Sequence, residues 1–92
     1  MTVYLIHFDR PLGDPNNPRG QAQHYIGYAD NLAERIVQHW HGNGAKIIAA
    51  AVAAGITWSC VRTWPGDRKL ERKLKNLHNA PRLCPVCRRP HR

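Results

Sequence analysis

Residues 2–8, TVYLIHF, run through β-branched, aromatic and apolar side chains. A strand here sets Tyr4, Ile6 and Phe8 on one face and Val3, Leu5 and His7 on the other. The following stretch, DRPLGDPNNPRGQAQ, is rich in proline, glycine and asparagine, the chemistry of a long exposed connection. Residues 23–28, QHYIGY, form a second strand, and neighbouring strands joined by one loop pair most simply as an antiparallel hairpin. Gly27 inside that strand marks a bulge or a close approach of backbone.

The period then changes to helical. Asn31, with Glu34 three residues on, reads as a capping box opening a helix over residues 32–41. Leu32, Ile36 and Trp40, with Ala33 and Val37, form its expected buried stripe, which leaves Arg35 and His39 as i, i+4 neighbours on one flank. HGNG ends that helix, an alanine-rich helix follows over 45–54, and Gly55 suits the residue after its end. ITWSCVRTW, residues 56–64, alternates as a third strand with Cys60 directed to the core, and Pro65 and Gly66 close it. Asp67 caps a last helix, RKLERKLKNLHN, with Leu70, Leu74 and Leu77 inward and Glu71 beside them. The remainder, APRLCPVCRRPHR, has no helical or strand period, and no internal repeat is present. The expected fold is α/β, a small antiparallel three-stranded sheet flanked by helices in the order β-β-α-α-β-α. The expected division is a domain over residues 1–80 and a basic, cysteine-containing tail over 81–92.

Composition narrows the partners. With 92 residues the chain has room for one modest core. Fourteen Lys and Arg against six Asp and Glu give a formal charge of +8, which in a small domain points to a polyanionic partner or an anionic surface, with nucleic acid the first candidate. Binding dominated by phosphate contacts is expected to be weakly sequence-selective and strongly salt-dependent. The longest apolar run, IIAAAVAAGI, is too short to span a bilayer, and no basic and apolar leader precedes the first strand, so a cytoplasmic protein is expected. Three cysteines make a poor disulfide framework, but Cys84-Pro-Val-Cys87 has metal-ligand spacing. His78 and His91 are the nearest partners in sequence for a tetrahedral zinc site. The competing reading is two reduced cysteines in an unordered tail.

A strand with Tyr4, a strand with Tyr25-Ile26-Gly27, a helix with Arg35 ten residues after Tyr25 and His39 four later, then Glu71 on the last helix: this order resembles the GIY-YIG nuclease superfamily. The resemblance covers roughly residues 2–80. Thr2 and Val3 stand for the Gly-Ile of the name, and Tyr28 stands where excision-repair members carry a lysine. Asn79 is the favoured counterpart of the family's late asparagine, with Asn76 the other choice. The first loop is longer than in the shortest members.

The resemblance implies a metal-dependent DNA endonuclease, and each implied role has a physical reason. Glu71 is a hard oxygen ligand for Mg²⁺ or Mn²⁺, a cation that keeps most of its waters. Arg35 presents a fixed fork of donors to phosphate oxygens where charge develops. Tyr4 is the implied general base for water, with Tyr25 and His39 bonded to it or to the phosphate. Gly27, Asn79, Lys69, Arg72 and Lys75 are the implied substrate contacts. Each residue also has an ordinary reading: a cross-strand Tyr4/Tyr25 pair, helix-flank positions for Arg35 and His39, a Glu71–Lys75 ion pair. Two other functions stay open: a non-catalytic DNA-binding module on the same fold, and a small zinc-stabilised interaction protein. A protein partner supplying specificity is also expected.

Overall fold

The fold comes from a computed structural model that describes residues 1–13, 22–42, 44–77 and 80–87. Strand β1 (Thr2–Leu12) is the middle of the sheet, with β2 (Ala22–Ala29) antiparallel on one side and β3 (Trp58–Pro65) antiparallel on the other. A central strand covered on both faces needs apolar residues at consecutive positions. That is what TVYLIHF supplies: every residue from Val3 to Phe8 is buried. Tyr4, Ile6 and Phe8 enter one core with Ile48, Ala51 and Trp58. Val3 and Leu5 enter a second core with Ile26, Leu74 and Cys84. β1 runs further than the expected strand, through exposed Asp9, Arg10 and Pro11 to Leu12, which is half-buried against the first core.

Helices α1 (Leu32–Trp40) and α2 (Lys46–Ala53) cover the Tyr4 face. Asn31 caps α1 as expected, its side-chain oxygen accepting the Glu34 N–H at 3.1 Å. Gly55, at φ +72°, ends the α2 region in the left-handed conformation that glycine adopts without strain. Helix α3 (Arg68–Asn76) lies on the Val3 face, where Leu70 and Leu74 pack, and Asp67 accepts the Lys69 N–H at 3.0 Å. A single turn, α4 (Ala80–Leu83), brings Leu83 and Cys84 to the same face. Part of the tail expected to lack periodicity is therefore packed. None of the described helices is long and apolar enough to cross a membrane.

Six expected positions differ. His39, placed on a flank by the pattern, is fully buried, while Ala33 is exposed and Val37 and Trp40 are 55% and 49% exposed. The inward stripe of α1 is Leu32, Ile36 and His39, because the imidazole finds a hydroxyl partner inside and Trp40 instead lies flat on Trp58, 4.2 Å between ring centroids. Cys60 is exposed rather than in the core: β3 is an edge strand, and its register against β1 shifts between Leu5 and Ile6, directly beside Cys60. Leu77 is 51% exposed because α3 ends at Asn76 and Leu77 is its C-cap. His78, Asn79 and His91 lie outside the described residues.

Candidate active site

The hairpin register places Tyr4 opposite Gly27 and Ile6 opposite Tyr25, so both phenols stand on the α1 face as diagonal neighbours, ring centroids 6.2 Å apart. Gly27 makes this possible. A Cβ there would land on the Tyr4 ring and hydroxyl and 2.8 Å from the Tyr25 ring, so the phenols cross over bare backbone. The Tyr4 hydroxyl lies 2.7 Å from His39 Nε2. Burial, and next the neighbouring Tyr25, push the Tyr4 phenol well above its ordinary value, while burial and then Arg35 push His39 below its own. Tyr4 therefore keeps its proton and His39 stays neutral, an arrangement in which Tyr4 O–H donates to Nε2. His39 Nδ1 is buried and has no hydrogen-bond partner among the described residues. It faces Gly44, where any side chain would collide with the imidazole. Gly44 thus lets the backbone approach the ring closely.

At the β2 edge, α1 from one face and α3 from the other enclose an open polar cleft of about 390 Å³. Tyr25, Arg35 and Glu71 line it, together with Asp30, Arg68 and Arg72. All five expected catalytic residues are thus neighbours in two layers. Tyr25 lies at the cleft wall above, and Tyr4, 1% exposed, is held on fully buried His39 below. Glu71 is partly exposed and pairs with Lys75 at 3.8 Å across one helical turn, a solvent-screened contact that leaves the carboxylate available. Lys75 Nζ also sits 5.4 Å from the Tyr25 ring centroid. Asp30, the other acid of the cleft, accepts the Tyr28 hydroxyl at 3.0 Å. A carboxylate held only by a solvent-screened ion pair, in a water-accessible cleft rimmed by guanidinium groups, fits a hydrated divalent cation shared with a phosphate.

The expected substrate contacts separate. Arg72 lines the cleft, whereas Lys69 belongs with Arg72, Lys73 and Leu77 to a shallower groove of about 420 Å³ on the outer side of α3. Arg68 enters the cleft unanticipated, 5.7 Å from the Tyr28 ring centroid. Its position next to the Asp67 cap was the available signal, since the first turn of α3 points toward the β2 edge.

The opposite face of the same hairpin holds a second polar cluster. His7 and His24 are directly paired across β1 and β2, with His7 Nδ1 3.3 Å from His24 Nε2. Cys84 Sγ lies 3.5 Å from His7 Nδ1, and Cys87 Sγ lies 3.7 Å from His7 Nδ1 and 3.3 Å from His24 Nε2. All four ligand atoms fall within 4.8 Å of one another, a group that could hold a metal ion. The two cysteines are those expected from their spacing. The two histidines come from strands distant in sequence, and only the hairpin register could have revealed them.

The sequence matches the family model of the GIY-YIG catalytic domain over residues 2–83. The chain belongs to the GIY-YIG family. No curated protein and no solved structure matches it. The GIY-YIG domain indicates a nuclease superfamily, and the three-stranded antiparallel sheet with its helices is consistent with that fold. The matched GIY-YIG span includes His7 and His24 and ends one residue before Cys84.

Proposed function

We propose that this GIY-YIG protein is a metal-dependent DNA endonuclease, a phosphodiester hydrolase. The observation carrying the reading is the convergence of Tyr25, Arg35 and Glu71 on one cleft above the Tyr4–His39 pair. Glu71 holds Mg²⁺ or Mn²⁺, which when bound supplies Lewis acidity toward the phosphate. Arg35 donates to the non-bridging oxygens and stabilises the charge that builds up as water attacks phosphorus and the bond to the 3′ oxygen breaks. Arg68 and Arg72 neutralise flanking phosphates, with Lys69 and Lys75 extending the basic surface along α3. Tyr25 hydrogen-bonds the phosphate from the cleft wall.

Tyr4 is the general base, and its environment dictates how. A phenol raised by burial offers no standing phenolate near neutral pH. Tyr4 therefore accepts the proton of the attacking water as its own proton passes to neutral His39 at 2.7 Å. His39 is a relay behind the base. The domain over residues 1–80 carries this chemistry, and the segment 81–92 is its basic, cysteine-containing tail. A cytoplasmic setting and a protein partner that supplies DNA specificity complete the reading.

One observation favours a second reading: Tyr4 is 1% exposed, and a site that never opened to it would bind DNA without cutting it. Incubation of supercoiled plasmid with Mg²⁺ or Mn²⁺ separates the two. Metal-dependent nicking is expected, with Tyr4→Phe, Arg35→Ala and Glu71→Gln each lowering it by about 10²–10⁴-fold while far-UV spectra and melting curves hold. Full-rate nicking by Tyr4→Phe and Glu71→Gln rejects the catalytic reading, and salt-dependent binding without any nicking supports the DNA-binding module.

A further inference from the structure

We propose that His7, His24, Cys84 and Cys87 form a structural zinc site that fastens the C-terminal segment across the back of the hairpin. Zinc binds imidazole nitrogen at about 2.0–2.1 Å and thiolate sulfur at about 2.3 Å, and in a tetrahedron these bond lengths set ligand separations of about 3.4 Å for N···N and about 3.6 Å for N···S. Four of the six separations in the cluster can be compared directly: 3.3 Å for N···N, and 3.5, 3.7 and 3.3 Å for N···S. These four separations already match a tetrahedral site, and all four ligand atoms lie within 4.8 Å of one another. Two thiols with two imidazoles suit zinc and reject hard cations such as Mg²⁺.

The fold prepares these positions separately. His7 and His24 are held opposite each other by the antiparallel register, and His7 is only 7% exposed. Cys84 is fully buried in the core with Val3, Leu5, Ile26 and Leu74, and Cys87 closes the group from the surface after a turn through Pro85 and Val86. The segment contributes little apolar surface of its own beyond Leu83 and Cys84, so the ion replaces the missing core. The Arg62 guanidinium, donating to the Leu83 carbonyl at 3.2 Å, secures the segment from the β3 side. The same core seats Leu70 and Leu74 of α3, the helix that carries Glu71, so the ion also steadies the floor beneath the cleft.

The site can be tested on the full chain with no reference to cleavage, so its failure and that of the nuclease reading are distinguishable. Protein purified without chelator should contain about one zinc per chain, and replacement by Co²⁺ should give the visible bands and thiolate charge transfer of a tetrahedral complex. His24→Ala and Cys87→Ser, at partly exposed positions, should weaken Co²⁺ binding by roughly a hundredfold or more, while His78→Ala and His91→Ala leave the spectrum unchanged. Alkylation followed by mass spectrometry tests the native protein even if a variant fails to fold. Cys60 should react at once and Cys87, although exposed, only after chelation. Metal-free protein with no cobalt spectrum, a Cys84–Cys87 disulfide in its place, a spectrum that survives His24→Ala, or Cys87 alkylating as fast as Cys60 would each overturn the proposal.

Discussion

Alternate residues of β1 serve two differently built faces. On one, Tyr4, Ile6 and Phe8 meet two helices, and the polar residues among them, Tyr4 and His39, bond to each other through Nε2 in a dry interior. On the other, Val3 and Leu5 meet one helix and a single helical turn, and the polar residues, His7 and His24, gather with two thiols. The first face has enough apolar cover to bury a hydroxyl–imidazole pair. The second has less, and places four potential metal ligands, two imidazoles and two thiols, where further side-chain packing would otherwise be needed. A small basic chain has divided its limited core, keeping packing on one side and, with the zinc site proposed above, leaving the thinner side to a cross-link.

The sharpest way to break this contrast is to remove one large side chain from each face. Phe8→Ala should cost about 3–5 kcal/mol, with or without chelator, because its surroundings are packing alone. Leu5→Ala should cost about 2–5 kcal/mol in the metal-loaded protein but clearly less after chelation, since the second core is then already loosened. Urea unfolding of both variants, each with and without chelator, measures the difference. Equal chelator dependence on the two faces would abolish the distinction.

Glycines give a finer contrast. Gly27→Ala forces a methyl group into the Tyr4 and Tyr25 rings and should cost about 1–3 kcal/mol together with a loss of nicking. Gly66→Ala, on the α3 side, meets chiefly the Leu70 side chain, whose outer carbons can turn aside, and should cost under about 1 kcal/mol with nicking retained. Thermal melts beside nicking rates check the pair.

Most of the sheet and its caps could be read from the chain. Consecutive burial of TVYLIHF, the Asn31 and Asp67 caps and the left-handed Gly55 all follow from local chemistry. The inward turn of His39 could not be read so directly. Residues 39 and 40 are adjacent on the helix, and hydrophobicity prefers tryptophan to imidazole until the Tyr4 hydroxyl across the sheet is counted. Cys60 was hidden for another reason: alternation predicts a face, and a register shift changes what covers that face. His7 and His24 are separated by the long first loop, whose composition carries no register, so their pairing emerges only from the sheet. Tyr4, Tyr25, Arg35 and Glu71 were legible as an ordered series of residue types, while the layering of Tyr4 beneath Tyr25 required the third dimension.

A pH profile gives the smallest effect. His39 is held below its ordinary 6.5 by burial and then Arg35, so it remains neutral and able to take the Tyr4 proton throughout the neutral range. Its acid limb should therefore lie below pH 6.5, with nicking falling by about tenfold per unit beneath it, and His39→Gln should remove that limb along with most of the rate. A limb at or above the ordinary imidazole value would contradict the dry environment assigned to that face.

Because Tyr4 and His7 sit three positions apart on one extended segment, they point to opposite sides by parity alone. Substitutions within that interval are graded injuries, each confined to one side. The insertion or deletion of a single residue there is of another kind: it exchanges the two sides, sending the phenol toward the thiols or the imidazole toward the helices. For a lineage carrying this chain, the interval from Tyr4 to His7 is thus a fixed length before it is a fixed spelling.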